Sequence, residues 1–263
     1  MPRKSVIRVG SLDVGRLFHS RPARSVEFLL DPRWDVILVQ NTYRDLVENK
    51  AFRGEWPVRH WGPMTNHFKR GNVREQVGIA ICSRLPIMSL SAHAFVRHLM
   101  PVGDLDGVKL DAYGCADTDD LQLVRQTESR LVLFAEVIKD DAIIKVATVH
   151  GSWRPGGKVD DSLRADVVRM IDIVNKQGDL VVAGNFSAAR GYEVYDTFLR
   201  SGWHDCLPVV YDNTLDYEGR GKAGPPLAVD GIYTTGGSLK VTGVELHWGV
   251  SDHCGITFEV NKE

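Results

Sequence analysis

Strand-length apolar runs recur along this chain, and they stop repeatedly at a small acid, amide or imidazole. VIRVGSLDV alternates from Val6 to Val14 and ends at Asp13, and the buried-type run WDVILVQ over Trp34–Gln40 ends in Asn41. Arg130–Ile138 and Ala142–Thr148 read as two strands, the second delivering His150. Leu180–Ala183 breaks at Gly184-Asn185-Phe186-Ser187, and AVDGIY over Ala228–Tyr233 carries Asp230. The stretch GVSDHC, Gly249–Cys254, lies between the alternating run Leu239–His247 and a second alternation at Ile256, Phe258 and Val260, and it presents Asp252 beside His253. One polar residue at a strand end is an ordinary turn. Asp13, Asn41, His150, Asn185, Ser187, Asp230, Asp252 and His253 together predict a common sheet edge, where an acid beside an imidazole sets a metal ligand next to a proton-transfer group.

The remaining periodicity limits the architecture. Helical spacing is present at Ser25–Leu30, over Ser162–Lys176 with Gly178 after its end, and at Tyr192–Ser201. Val77–Ile81 adds a strand, turned by Ser83-Arg84-Leu85-Pro86. A purely parallel doubly wound sheet needs more intervening helices than these, so two mixed sheets packed together with helices outside are expected. Residues 42–76 read as irregular and rich in aromatic and basic side chains, either a substrate-facing loop or a segment with packed tryptophans. Residues 101–127 carry Asp104, Asp106, Asp111, Asp117, Asp119 and Asp120 without EF-hand spacing, which predicts a solvated loop or hairpin. Residues 211–226 read as a Gly/Pro-rich charged loop.

Composition excludes several classes. With 263 residues, 43% of them hydrophobic, and no apolar run long enough to span a bilayer, one domain over 1–263 and no membrane span are expected. A formal net charge of −2 gives no basis for tight nonspecific nucleic-acid binding. MPRKSVIRVG lacks a signal peptide's apolar core, and Cys82, Cys115, Cys206 and Cys254 show no CxxC spacing, so reduced thiols and a cytoplasmic location are expected.

The blocks VGSLDV, VILVQN, VGIAICSR, VATVHG, VVAGNFSA, VDGIYTT and VSDHC, in this order, resemble the endonuclease/exonuclease/phosphatase family, which includes pancreatic-type deoxyribonucleases and abasic-site endonucleases. The resemblance implies a four-layer α/β/β/α sandwich of two mixed sheets and hydrolysis of phosphodiesters or phosphomonoesters with Mg²⁺ or Mn²⁺. Nucleic acid or another phosphate ester would be the substrate, and no membrane partner is implied. It further implies that Asp13, Asn41 and Asp252 stand at metal-ligand positions, and that His253, oriented by Asp230, contacts the scissile phosphate or handles its proton. His150 matches the family's other histidine, which donates to the phosphate when protonated, and Asn185 and Ser187 occupy positions near the attacking water and the phosphate.

Several positions depart from the family pattern. It reads asparagine where this chain has Asp13, glutamate where it has Asn41, aspartate where it has Asn185 and asparagine where it has Ser187. Carboxylate and amide have exchanged places at the first two if both face one ion. At Asn185 an amide cannot accept a proton from water, and loss of a positioned base costs ~10²–10⁴ in rate. Two readings stay open. The chain is an attenuated metal-dependent phosphoesterase, nuclease-like, in which Trp56, Trp61 and Trp153 with Arg53, Arg59 and Arg154 stack bases and hold phosphates. Alternatively it is a catalytically inactive member that binds a phosphate-bearing ligand or a protein partner.

Overall fold

The structure, a computed structural model, describes residues 5–15, 22–68, 74–97, 129–152, 154, 159–217 and 224–262. The acidic stretch 101–127, with Cys115, and Trp153 lie outside the described residues.

In the first sheet β1 (Val6–Asp13) pairs in parallel with β2 (Val36–Tyr43) and antiparallel with β12 (Gly255–Lys262). β11 (Leu239–His247) edges it on one side; β4 (Arg74–Ser83) and β3 (Val58–Phe68) follow β2 on the other, giving the order β11-β12-β1-β2-β4-β3. The second sheet contains β5 (Ile87–Arg97), β6 (Ser129–Lys139), β7 (Ala142–His150), β8 (Val181–Asn185), β10 (Asp230–Thr234) and β9 (His204–Asp205), in the order β5-β6-β7-β8-β10-β9. Among the described residues its parallel pair is β7–β8, and the other pairings are antiparallel.

Period-two alternation sorts the apolar residues into layers. Ile7, Val9, Val36, Leu38, Ile79 and Ile81 of the first sheet meet Leu133, Val146, Val181, Ala183 and Ile232 of the second in the central core. The alternate residues face outward. Leu12, Ile37, Val39 and Cys82 pack on Phe28 and Leu29 of α1 (Pro22–Leu30), Val47 of α2 (Arg44–Glu48) and Phe52 of α3 (Lys50–Glu55). Val132, Phe134, Ala147, Val149 and Val182 pack on α4 (Asp161–Asn175) and α5 (Glu193–Arg200). Burying an aliphatic side chain stabilises by about 1.5–3 kcal/mol, so three apolar interfaces are what hold four layers together. This is the expected α/β/β/α sandwich of two mixed sheets.

The structure corrects three local expectations. The described residues of the 42–76 stretch are largely regular, forming the end of β2, α2, α3, β3 and the start of β4. Trp56, expected as a base-stacking candidate, is fully buried; its indole N–H donates to the Leu29 carbonyl and the Arg84 guanidinium lies 4.1 Å over its ring. Arg59 is turned onto the Trp56 carbonyl, and Arg154 is buried against Asp166 of α4 at 3.0 Å. Strand β5, with the alternation-poor sequence IMSLSAHAFVR, was not foreseen: it is an edge strand, with Met88 and Leu90 exposed.

Candidate active site

The rows that build the central core run on into polar residues at one end of the sandwich. Along β1, Ile7 and Val9 are followed two residues apart by Ser11 and Asp13; along β7, Ile144 and Val146 by Thr148 and His150; along β8, Val181 and Ala183 by Asn185. Asp230 stands one alternation before Ile232 on the antiparallel β10, directly opposite Asn185. Side-chain parity therefore directs Asp13, His150, Asn185 and Asp230 into the space between the sheets. Beneath them a polar layer joins the sheets: the Gln40 amide donates to Thr148 Oγ1 at 2.8 Å and to Ser11 Oγ at 3.3 Å.

Asp13 is the hub. Its Oδ1 accepts from the Gly15 N–H at 2.9 Å and from Asn41 Nδ2 at 2.9 Å, and its Oδ2 accepts from Asn185 Nδ2 at 2.7 Å. His150 Nε2 lies 3.4 Å from the same Oδ2. Asn41 reaches this place because it takes a left-handed backbone (φ 54°) where the β2–β4 register slips between Val39 and Thr42; asparagine tolerates that region better than most residues. Asn185 uses both ends of its amide, since Oδ1 accepts from the Ser187 N–H at 2.8 Å while Nδ2 serves Asp13. Ser187, also left-handed (φ 52°), closes that turn, and its hydroxyl lies within reach of Asn185 Oδ1 in the turn and of the Gly151 carbonyl after β7.

The second cluster stands on the loop before β12. His253 Nδ1 meets Asp230 Oδ2 at 2.8 Å, with both residues buried. The Leu215–His253 bridge, with Cys254 N–H to the Thr214 carbonyl and Asp216 N–H to the Asp252 carbonyl, zips this loop to residues 214–216. Thr214 Oγ1 also accepts from the N–H groups of Val229 and Asp230, so one hydroxyl anchors the start of β10. Ser251 donates to the Asp13 carbonyl and ties this cluster to β1. A Cβ on Gly15 (φ +42°) would stand 2.1 Å from Asp252 Oδ1, so only glycine leaves that carboxylate its place next to the Asp13 turn.

Charge is balanced across the two clusters. Burial raises the Asp13 carboxyl, but the His253 charge, His150 and Asn185 outweigh it and hold Asp13 well below the usual carboxylate range. Burial opposes a charge on His253, yet Asp230, Asp13 and Asp252 push its imidazole up to about 9. His150 goes the other way: burial and the neighbouring Arg130 guanidinium lower its proton affinity, with Asp13 offsetting part. Carboxylate oxygens of Asp13 and Asp230 and a ring nitrogen of His253 lie within 4.8 Å of one another; with the imidazole charged, only the carboxylate oxygens of this group can face a hard divalent cation. Asn41 presents Nδ2 to Asp13, so its carbonyl would serve a cation only after the amide turns over.

The residues expected at a common edge thus lie at one end of the sandwich. Gln40, Arg130 and Thr214 are additional members. Arg130 had a visible signal, a lone charge at the head of an apolar strand, whereas Gln40 and Thr214 had none.

Comparison with known proteins agrees with this architecture. No curated protein sequence matches the chain. Among solved structures it is similar to an endonuclease/exonuclease/phosphatase from Beutenbergia cavernae DSM 12333, with TM-score 0.69, 14% identity, and 98% of this chain and 72% of that one covered. It is also similar to a family protein from Leptotrichia buccalis C-1013-b (0.65, 17%, 98% and 99%) and to the human Nocturnin catalytic domain solved with a bound sulfate anion (0.63, 16%, 98% and 94%). These identities support the fold alone. The model of the Endonuclease/Exonuclease/phosphatase family, however, matches residues 11–253, and the chain belongs to that family.

Proposed function

We propose that this chain is a divalent-metal-dependent phosphoesterase, nuclease-like and slowed by the amide at Asn185, acting as one domain. The observation that carries the reading is the buried Asp230–His253 pair at 2.8 Å, set beside the Asp13 carboxylate. Asp13 and Asp252, with Asn41 once its amide turns, would hold Mg²⁺ or Mn²⁺. The cation would supply charge for the phosphoryl oxygens and the leaving oxygen. His253, charged at neutral pH and oriented by Asp230, donates a hydrogen bond or proton to the scissile phosphate. His150 supplies a further donor, Ser187 does so once its hydroxyl turns from Asn185 and Gly151, and Asn185 holds Asp13 in place instead of taking a proton from water. The sulfate in Nocturnin, a tetrahedral oxyanion, accords with a phosphate ester as ligand. Buried free thiols at Cys82 and Cys254 accord with a reducing compartment such as the cytoplasm.

One observation favours a second reading, an inactive member that binds a phosphate-bearing ligand. The Asp13 carboxylate is already engaged by a backbone N–H and two side-chain amides. The test is cleavage of a labelled oligonucleotide and of a chromogenic phosphodiester, with Mn²⁺, with Mg²⁺ and with chelator. Metal-dependent turnover abolished in His253→Gln supports the first reading. Binding of a product nucleotide without turnover supports the second.

A further inference from the structure

His150 is contacted from both ring nitrogens by one donor and one acceptor each, and a neutral imidazole satisfies only one of each kind. With the proton on Nδ1, His150 donates to the Gly151 carbonyl at 3.2 Å and accepts at Nε2 from Asn41 Nδ2 at 3.0 Å. With the proton on Nε2, it accepts at Nδ1 from Arg130 Nη1 at 2.9 Å and points its proton at Asp13 Oδ2, 3.4 Å away. The first arrangement uses two neutral partners and turns an N–H of a buried guanidinium against another N–H. The second sets the Nε2 proton against Asn41 Nδ2 at 3.0 Å, so each arrangement leaves one donor facing another, but the second keeps the cation and the carboxylate as partners, and hydrogen bonds to ionised partners are roughly twice as strong. Arginine stays charged and offers no acceptor, so its choice cannot reverse.

We infer that Arg130 is a positioning residue that fixes the His150 proton on Nε2, so that His150 faces the centre as a hydrogen-bond donor. The inference rests on the hydrolase reading for its use, because it states how His150 presents itself to a bound phosphate. Its geometry stands apart from that reading: Arg130 and His150 are 3% and 5% exposed, on adjacent strands β6 and β7, and bulk water competes little for the bond.

The test is long-range ¹H–¹⁵N correlation spectroscopy on the full chain with ¹⁵N-labelled histidine, in chelator and without substrate, the His150 signals being identified by their loss in His150→Gln. A protonated, pyrrole-type Nε2 with an acceptor-type Nδ1 is expected. Arg130→Lys keeps a donor-only cation and retains that pattern; Arg130→Met removes it, and the proton moves to Nδ1, drawn by the Gly151 carbonyl and Asn41. A pyrrole-type Nδ1 in the unmodified protein overturns the inference, as does an unchanged pattern in folded Arg130→Met. Where Arg130→Met does not fold, the unmodified protein decides alone. The readout needs neither cation nor substrate: a failed hydrolysis assay leaves it standing, and a reversed tautomer leaves the hydrolysis result standing.

Discussion

The two clusters of the centre are built from similar residues in opposite ways. Around Asp230, Asp252 and His253, where the sequence resembles the family pattern, carboxylates surround an imidazole and raise it against its burial. Around Asp13, where the sequence departs from the pattern it resembles, burial raises a carboxylate that the His253 charge, His150 and the Asn185 amide pull down again. The departures are therefore interdependent. Asn185 Nδ2 lies 2.7 Å from Asp13 Oδ2, and an aspartate at 185 would set two carboxylates at that distance, which cannot both stay ionised. Asn41, at 2.9 Å from Oδ1, stands under the same constraint. Once position 13 carries the acid, amides at 41 and 185 are what electrostatics allows without a cation.

The sharpest way to break this comparison is to remove the Asp230–His253 cluster. If the proposed hydrolysis holds, His253→Gln should lower Mn²⁺-dependent turnover by ~10²–10⁴, and Asp230→Asn should lower it less while shifting its pH optimum. Steady-state kinetics over pH check this; an unchanged rate in folded His253→Gln would falsify the role given to that histidine.

Asp13→Ala comes next. Removing the acceptor strands the donors of Asn41, Asn185 and His150, and breaking a buried charged network costs about 3–5 kcal/mol, measured by urea denaturation in chelator. The exchange Asp13→Asn with Asn41→Glu restores one carboxylate between the two positions. It should recover Mn²⁺ binding in calorimetry that Asp13→Asn alone loses. Equal binding by the single variant and the exchange would show that the two positions do not share an ion.

The pH dependence separates the clusters. In chelator, His253 has its folded-state value raised to about 9 from an ordinary 6.5, so its contribution is full below pH 6.5 and fades as pH rises to about 9. At 1.36 kcal/mol per unit the loss is about 3 kcal/mol. Asp13, lowered by folding, contributes in the opposite sense: its part is present above the ordinary carboxylate range and is lost as pH falls below it. Denaturation midpoints from pH 4 to 9.5 should fall on the alkaline side in the unmodified protein and flatten there in His253→Gln.

The smallest effect is expected at Trp56. Its burial under Arg84 removes it from the substrate surface, so Trp56→Phe should change oligonucleotide affinity by less than about twofold while lowering stability by about 1 kcal/mol through the lost Leu29 bond. Loss of nucleotide binding in a folded variant would return this residue to the binding surface.

What the sequence determined by itself was whatever follows from periodicity and local chemistry. The alternation of β1 and β12 and the apolar runs of β2, β7, β8 and β10 marked the strands, and because each run stops at a polar residue, Asp13, His150, Asn185 and Asp230 were legible as one edge. The amphipathic stripe of α4 was legible for the same reason. Tertiary structure decided the rest. Strand β5 is paired along one side only, so its residues carry little of the burial that alternation reports. Residues 42–76 needed a neighbouring sheet before their tryptophans had anywhere to pack. Above all, the sequence showed amides where carboxylates were expected, and only the bonds from Asn41 and Asn185 to Asp13 showed why, because a buried carboxylate selects its neighbours across the gap between sheets and not along the chain.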